Sequence, residues 1–179
     1  DSSDSADYVT IDAYPSVTTT FSGKIDLNNL QNYANQPVPT YITKDNTSGN
    51  IITDKGATLG RVLFYDKNLS SNNTISCASC HIQANAFGDD AIASEGISGK
   101  TTRHAMRLVN SRFARENKFF WDERANTLEL QTTQPIQNHI EMGFSGTLGD
   151  TDLNALIIKL QKIGYYKELF NYTFGSETI

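Results

Sequence analysis

The chain has 179 residues, 38% of them hydrophobic and 20% charged, with a formal net charge of −5. That length suits one ordinary domain with an extension. The acidic balance disfavours nucleic-acid binding, which usually rests on a basic excess, and no apolar run approaches the roughly 18 residues of a membrane span. Residues 1–50 are rich in Ser, Thr, Asp and Asn, with turn residues at Pro15, Gly23, Pro37, Pro39 and Gly49. They read as a polar N-terminal extension lying over a domain that spans 51–179. Tyr8, Ile11, Tyr14, Phe21, Leu27, Leu30 and Tyr33 are its candidate anchors. With no initiating Met, it reads as a mature chain after signal removal or a trimmed one.

From Gly56 the pattern changes. Leu59, Val62, Leu63 and Phe64 share one helical face, and Asp66 ends the apolar run. The polar stretch SSNNT then makes a helix entrance before ISCASCH. Residues 82–103, dense in Gly, Asp, Ser and Thr, are expected to form a long surface loop; such loops are commonly functional. A helix is expected over 126–134, with Asn126 as its cap, Leu128 and Leu130 as apolar positions and Pro135 as its close. The amphipathic stripe Leu153, Leu156, Ile157, Leu160 and Ile163 predicts a helix over 151–163, capped by Asp150 or Thr151 and stopped by Gly164. A further short helix over 165–174 turns Tyr166, Leu169 and Phe170 inward. The fold class is mostly α.

Two cysteines are too few for a disulfide framework. Both fall in Cys77-Ala-Ser-Cys80-His81, the attachment pattern of haem c. On one helical turn each thiol can reach one vinyl group of a haem, and the next imidazole projects at the iron. A CxxC redox pair would normally follow a strand of a βαβ unit, and none is visible. A zinc site wants four ligands, and the other histidines are only His104 and His139. A structural disulfide does not require the histidine. Covalent haem c implies export and maturation outside the bacterial cytoplasm, so a periplasmic location is expected.

Three stretches carry a wider likeness: LGRVLFYDKNLSSNNTISCASCH, FFWDERANTLELQTTQPIQNHIEMG and YYKELFNYTFG. They resemble the N-terminal haem domain of the bacterial di-haem cytochrome c peroxidases, a group that includes the MauG enzymes. The likeness runs from about residue 30 to 175. It implies a cytochrome c-like haem domain with long loops, its haem flanked by the CxxCH helix and the 151–163 helix. It implies that His81 is the proximal ligand of the peroxidatic haem and Trp121 the electron relay between haems. It also implies that Gln131 and Glu141, ten and twenty positions after Trp121, are the distal-pocket pair. A carboxylate over an open iron site can take a proton from peroxide and return it to the leaving oxygen. Without the likeness, Glu141 reads as a surface residue and Trp121 as a core anchor.

The chain departs from the family in three places. Reductively activated relatives carry a distal histidine in the loop after CxxCH, and ASEGISGKTTR has none. Where many relatives have Arg-Asn, this chain has Arg103-His104; that asparagine serves an inter-domain calcium site in relatives, so the expectation of calcium is weakened. One CxxCH implies one haem, so the chain is expected to be the first half of a two-haem protein, or else a natural single-haem protein. Met106, Met142, His104 and His139 are candidate sixth ligands, with Met106 and His104 foremost. Among the basic residues Lys100, Arg103, Arg107, Arg112, Arg115 and Lys118, one or two arginines could pair with haem propionates. Three functions follow as expectations. The first is reduction of hydrogen peroxide, with electrons from a second haem domain and a small electron-donor protein. The second is simple electron carriage by a single haem. The third is a MauG-like oxidation of another protein. The pair Gln131 and Glu141, which a carrier does not need, favours the first.

Overall fold

The computed structural model describes residues 12–179; the candidate anchors Tyr8 and Ile11 lie outside them. The architecture is mostly helical. In chain order it comprises α1 (Pro15–Phe21), α2 (Asp54–Tyr65), α3 (Cys77–Cys80), a hairpin of β1 (Glu95–Gly96) and β2 (Gly99–Lys100), α4 (Leu128–Ile136), α5 (Leu153–Gln161) and α6 (Gly164–Phe174). Among the described helices, none is long and apolar enough to cross a membrane.

Side-chain caps fix the helix starts. Thr53 accepts from the Gly56 amide at 3.0 Å, ahead of α2. Thr127 accepts from Leu130 at 3.1 Å, ahead of α4. Asp152 accepts from Ala155 at 3.1 Å, ahead of α5. Each satisfies an amide that has no partner inside the helix. The caps expected at Asn126 and at Asp150 or Thr151 are therefore displaced toward the C-terminus. Pro135 lies within the last turn of α4 rather than beyond it, where its missing N–H costs a single ladder bond, to Gln131. Gly164 opens α6 instead of stopping α5. A Cβ there would sit 2.8 Å from the Ser16 hydroxyl, so the position is small because α1 packs closely on it.

The core joins one face each of α1, α2, α5 and α6, with Ile136 of α4 at its edge. Leu59 and Val62 of α2, Leu156 and Leu160 of α5, and Tyr166 and Leu169 of α6 pack together, the last two at 0% exposure. Each such aliphatic side chain contributes roughly 1.5–3 kcal/mol of burial. The N-terminal segment enters the same cluster. Val17 of α1 is 1% exposed, and Leu27 is buried, with Tyr14, Phe21 and Leu30 packed around them. Glu168 of α6 accepts the Ser16 and Val17 amides, both at 2.9 Å, closing the start of α1.

A partly buried polar knot ties the end of α2 to α6. Asp66 accepts from the Tyr165 hydroxyl at 2.6 Å and the Tyr166 hydroxyl at 2.7 Å. Burial is the main reason both phenols lie well above their ordinary range, with the Asp66 carboxylate adding to it. Earlier in the chain, residues 45–50 strap the loops. Asp45 holds Arg112 at 2.6 Å, Asn46 binds the Arg112 and Ala114 carbonyls, and Asn50 reaches Glu129 at 2.8 Å.

Candidate haem site

Cys77 and Cys80 are the first and last residues of α3, a single turn. Ser76 and Ser79 close its N-terminus reciprocally, the Ser76 amide donating to the Ser79 hydroxyl at 3.0 Å. Both thiols are free and half-buried. Burial pushes the Cys77 thiol up to about 11 and also raises Cys80. His81 follows directly, and its Nδ1 lies 2.9 Å from the Phe87 carbonyl oxygen. A carbonyl can only accept, so Nδ1 carries the proton. Nε2 is then the ring nitrogen left to bind a metal, with its basicity raised by the bond on the other side. A tight reversal supplies that carbonyl. Ala86 and Phe87 adopt φ of 55° and 58°, and Ile82 pairs with Gly88.

Cys80 and His81 open into a cavity of about 620 Å³. Its wall also includes Gln131, Glu141, Trp121, His104 and Met106. Except for Cys77, which sits deeper, every foremost residue singled out from sequence meets here. The size lies within the usual roughly 300–1,000 Å³ of cofactor sites. A pair of thiols on one turn, an imidazole with its tautomer fixed, and a cavity of this volume fit a haem.

Glu141 is half-buried on the cavity wall. Burial raises its carboxyl above the ordinary range, with the nearby Arg124 partly opposing the shift. Among the described residues no hydrogen bond reaches that carboxyl. Its backbone is held instead: the Asn138 side chain accepts the Ile140 amide at 2.9 Å and the Glu141 amide at 3.1 Å. Gln131 reaches the cavity from α4. Trp121 is 60% exposed and donates from Nε1 to the His104 carbonyl at 3.0 Å. It is not the core anchor that its size alone suggests.

The candidate sixth ligands separate. Met106, 37% exposed, and His104 line the cavity. Met142 is in the core at 3% exposure, and His139 pairs with Asp150 at 2.9 Å. The His104 Nδ1 lies 2.8 Å from the Ala91 carbonyl. The basic residues divide similarly. Arg103 pairs with Asp122, Arg112 with Asp45, Lys118 with Glu123 and Lys100 with Glu95. Arg107 lines the cavity with no such partner among the described residues. The 151–163 helix does not flank the cavity as expected. Leu156 and Leu160 of α5 face the core, and Lys159 reaches the Ser70 carbonyl at 2.8 Å.

Asn138 and Arg124 escaped the sequence reading. Arg124 lies 3.5 Å over the Phe120 ring and binds Gln134 and Asp122. The signal for Asn138 was its place three residues before Glu141, where an Asn side chain commonly caps its own turn.

A family model described as di-haem cytochrome c peroxidase matches residues 54–179. The methylamine utilization protein MauG of Methylophilus methylotrophus is 34% identical over 73% of this chain and 36% of its own length. The cytochrome c551 peroxidase of Pseudomonas aeruginosa is 31% identical over 68% of this chain and 34% of its own. The chain thus spans about a third of these curated relatives. Among solved structures, a MauG-like protein associated with microbial copper homeostasis superposes with a TM-score of 0.68 at 33% identity, over 79% of this chain and 40% of that one. The diheme peroxidase BthA of Burkholderia thailandensis, at 23% identity, shares the fold with a TM-score of 0.57, over 87% of this chain and 36% of its own.

Proposed function

The chain belongs to the di-haem cytochrome c peroxidase family, and from that premise we propose that it is the peroxidatic haem domain of such an enzyme. In this reading it reduces hydrogen peroxide to water with electrons from a second haem domain, recharged by a small electron-donor protein in the periplasm. One observation carries it. Glu141 and Gln131, from separate segments, share one cavity with His81.

Cys77 and Cys80 would hold one haem c through thioethers, with His81 Nε2, steadied by the Phe87 carbonyl, as the ligand for its iron. Bound there, haem would supply a redox-active iron able to bind peroxide. The chain's own residues manage protons and access. Glu141 takes the proton of hydrogen peroxide and returns it to the departing oxygen. Its raised carboxyl suits this, because an acid–base group works best with a value near the working pH. Gln131 orients the bound molecule by hydrogen bonding. Trp121, at the exposed mouth, passes electrons from the second domain. Arg107 is the cavity cation left to pair with a propionate.

The MauG-like reading has its own support. The 82–103 loop contains no histidine, and MauG itself is among the relatives at 34% identity. In that case the same site oxidises another protein through Trp121.

The test is peroxide consumption by the haem-loaded chain given a chemical electron donor. Glu141→Gln should keep haem content and slow consumption by roughly 10²–10⁴-fold. An unchanged rate would overturn the assignment.

A further inference from the structure

We propose that the hairpin over residues 95–100 is a positioning clamp for Glu141, with Gly96 its essential contact. The inference rests on the reading of Glu141 as the proton acceptor, and deepens it.

The hairpin is small. Glu95 pairs with Lys100 and Gly96 with Gly99, leaving Ile97 and Ser98 as a two-residue tip. That tip docks on the segment carrying Glu141. The Ile97 amide donates to the Glu141 carbonyl and the Ser98 amide to the Ile140 carbonyl, both at 3.2 Å. Behind the tip, the approach is closer than any side chain allows. A Cβ on Gly96 would lie 2.0 Å from the Ile140 carbonyl oxygen and 3.0 Å from the Glu141 Cα. On the other flank, Gly143 has a φ of +77°, and a Cβ there would lie 2.1 Å from the Ile97 Cδ1. One glycine of the hairpin and one glycine two residues after Glu141 thus permit the close contact between the two segments.

The remaining holds on this segment come from elsewhere. Asn138 takes the Ile140 and Glu141 amides, and the Ser71 amide donates to the Met142 carbonyl at 2.9 Å. The backbone of residues 140–142 is therefore fixed on its amide side by Asn138 and on its carbonyl side by the hairpin and Ser71. The Glu141 side chain, with no hydrogen bond of its own among the described residues, takes its aim from this backbone. A group that must sit within about 0.5 Å of its working position needs such support. The hairpin lies within ASEGISGKTTR, a stretch with no histidine. Its role is to hold a carboxylate, and no ligand comes from it.

The experiment is a double-mutant cycle on cyanide uptake by the haem-loaded ferric chain. Hydrogen cyanide must surrender its proton as the anion binds iron, so the association rate reports a correctly placed acceptor without any turnover. Haem content is checked by intact mass. Glu141→Gln should slow uptake by about 10²-fold or more. Gly96→Ala, which must lift the hairpin, should slow it at least about tenfold. The double variant should be no slower than Glu141→Gln alone, because residues acting through one group are non-additive. Multiplicative effects, or an unchanged rate in a haem-loaded Gly96→Ala chain, would overturn the clamp. If Glu141→Gln itself has no effect, the acceptor reading fails and takes the clamp with it; that result is distinct from failure of the clamp alone. Should Gly96→Ala not take up haem, Ser98→Pro removes one of the two amide donors while keeping Gly96. It should slow uptake in the same direction, and no change there overturns the clamp.

Discussion

The helices and the cavity wall are built by different physics. In the helical half, apolar side chains at regular spacing meet in one cluster, and Tyr166 and Leu169 lose all contact with solvent. The wall over residues 82–127 buries little of its own: Gly88, Ser94 and Ala125 are its only fully covered positions. It is held by tight turns, a two-residue hairpin tip and charge pairs such as Arg112–Asp45 and Arg124–Asp122. A wall of this kind lacks an apolar centre, and a flat aromatic cofactor would supply one. Stability should therefore reside in the first region, and chemistry in the second.

Substitutions that separate the two regions test this division. The largest effect belongs to the cavity. Glu141→Gln should slow peroxide consumption by roughly 10²–10⁴-fold while the urea midpoint hardly moves. In the parent chain, consumption should fall on acidification with a limb above the ordinary carboxylate range, since burial raises Glu141 and a base works only when deprotonated. Leu169→Ala should do the reverse, costing about 2–5 kcal/mol of stability and leaving per-haem cyanide binding intact. If the wall unfolds separately, hydrogen exchange will show it opening in both variants alike.

Asp66→Asn should cost about 1–3 kcal/mol, because two phenol bonds lose their charged acceptor. The same knot gives a pH signature. Tyr165 and Tyr166 are raised in the fold, so the folded chain holds their protons longer than the unfolded chain. Stability is then complete below the ordinary phenol value of about 10 and declines as the pH rises beyond it. Urea titrations at about pH 8 and about pH 11 measure the decline. Asp45→Asn should be the mildest change. It frees Arg112 and raises hydrogen exchange over 111–114, with little effect on the midpoint.

The same division explains how much could be read from sequence. Periodicity located α2, α5 and α6 and their inward residues, because regular burial leaves a regular pattern. Val17 was not recovered, since one valine in a polar stretch has no period, and its burial comes from α6 packed across it. Cap positions slipped by a residue or two, because Asn126 and Thr127, or Thr151 and Asp152, are both chemically able to cap. At the site, the CxxCH spacing announced itself, whereas Gln131, Glu141 and Trp121 came from likeness to a family. Nothing local marks a glutamate as half-buried. The hairpin against Glu141 was invisible for the same reason: its contacts, Ile97 to Glu141 and Ser98 to Ile140, join residues far apart in the chain, through backbone atoms that every residue possesses.

The central claim is that the chain holds one haem on Cys77, Cys80 and His81, with an accessible face beneath Glu141. The absorption spectrum of the ferric haem-loaded chain, recorded before and after cyanide and without prior reduction, tests it most directly. The expected result is a wholly or largely high-spin spectrum that cyanide converts to low-spin. A low-spin spectrum that cyanide leaves unchanged would contradict it; the iron would then be capped, with Met106 or His104 the first candidates, and the chain would be an electron carrier.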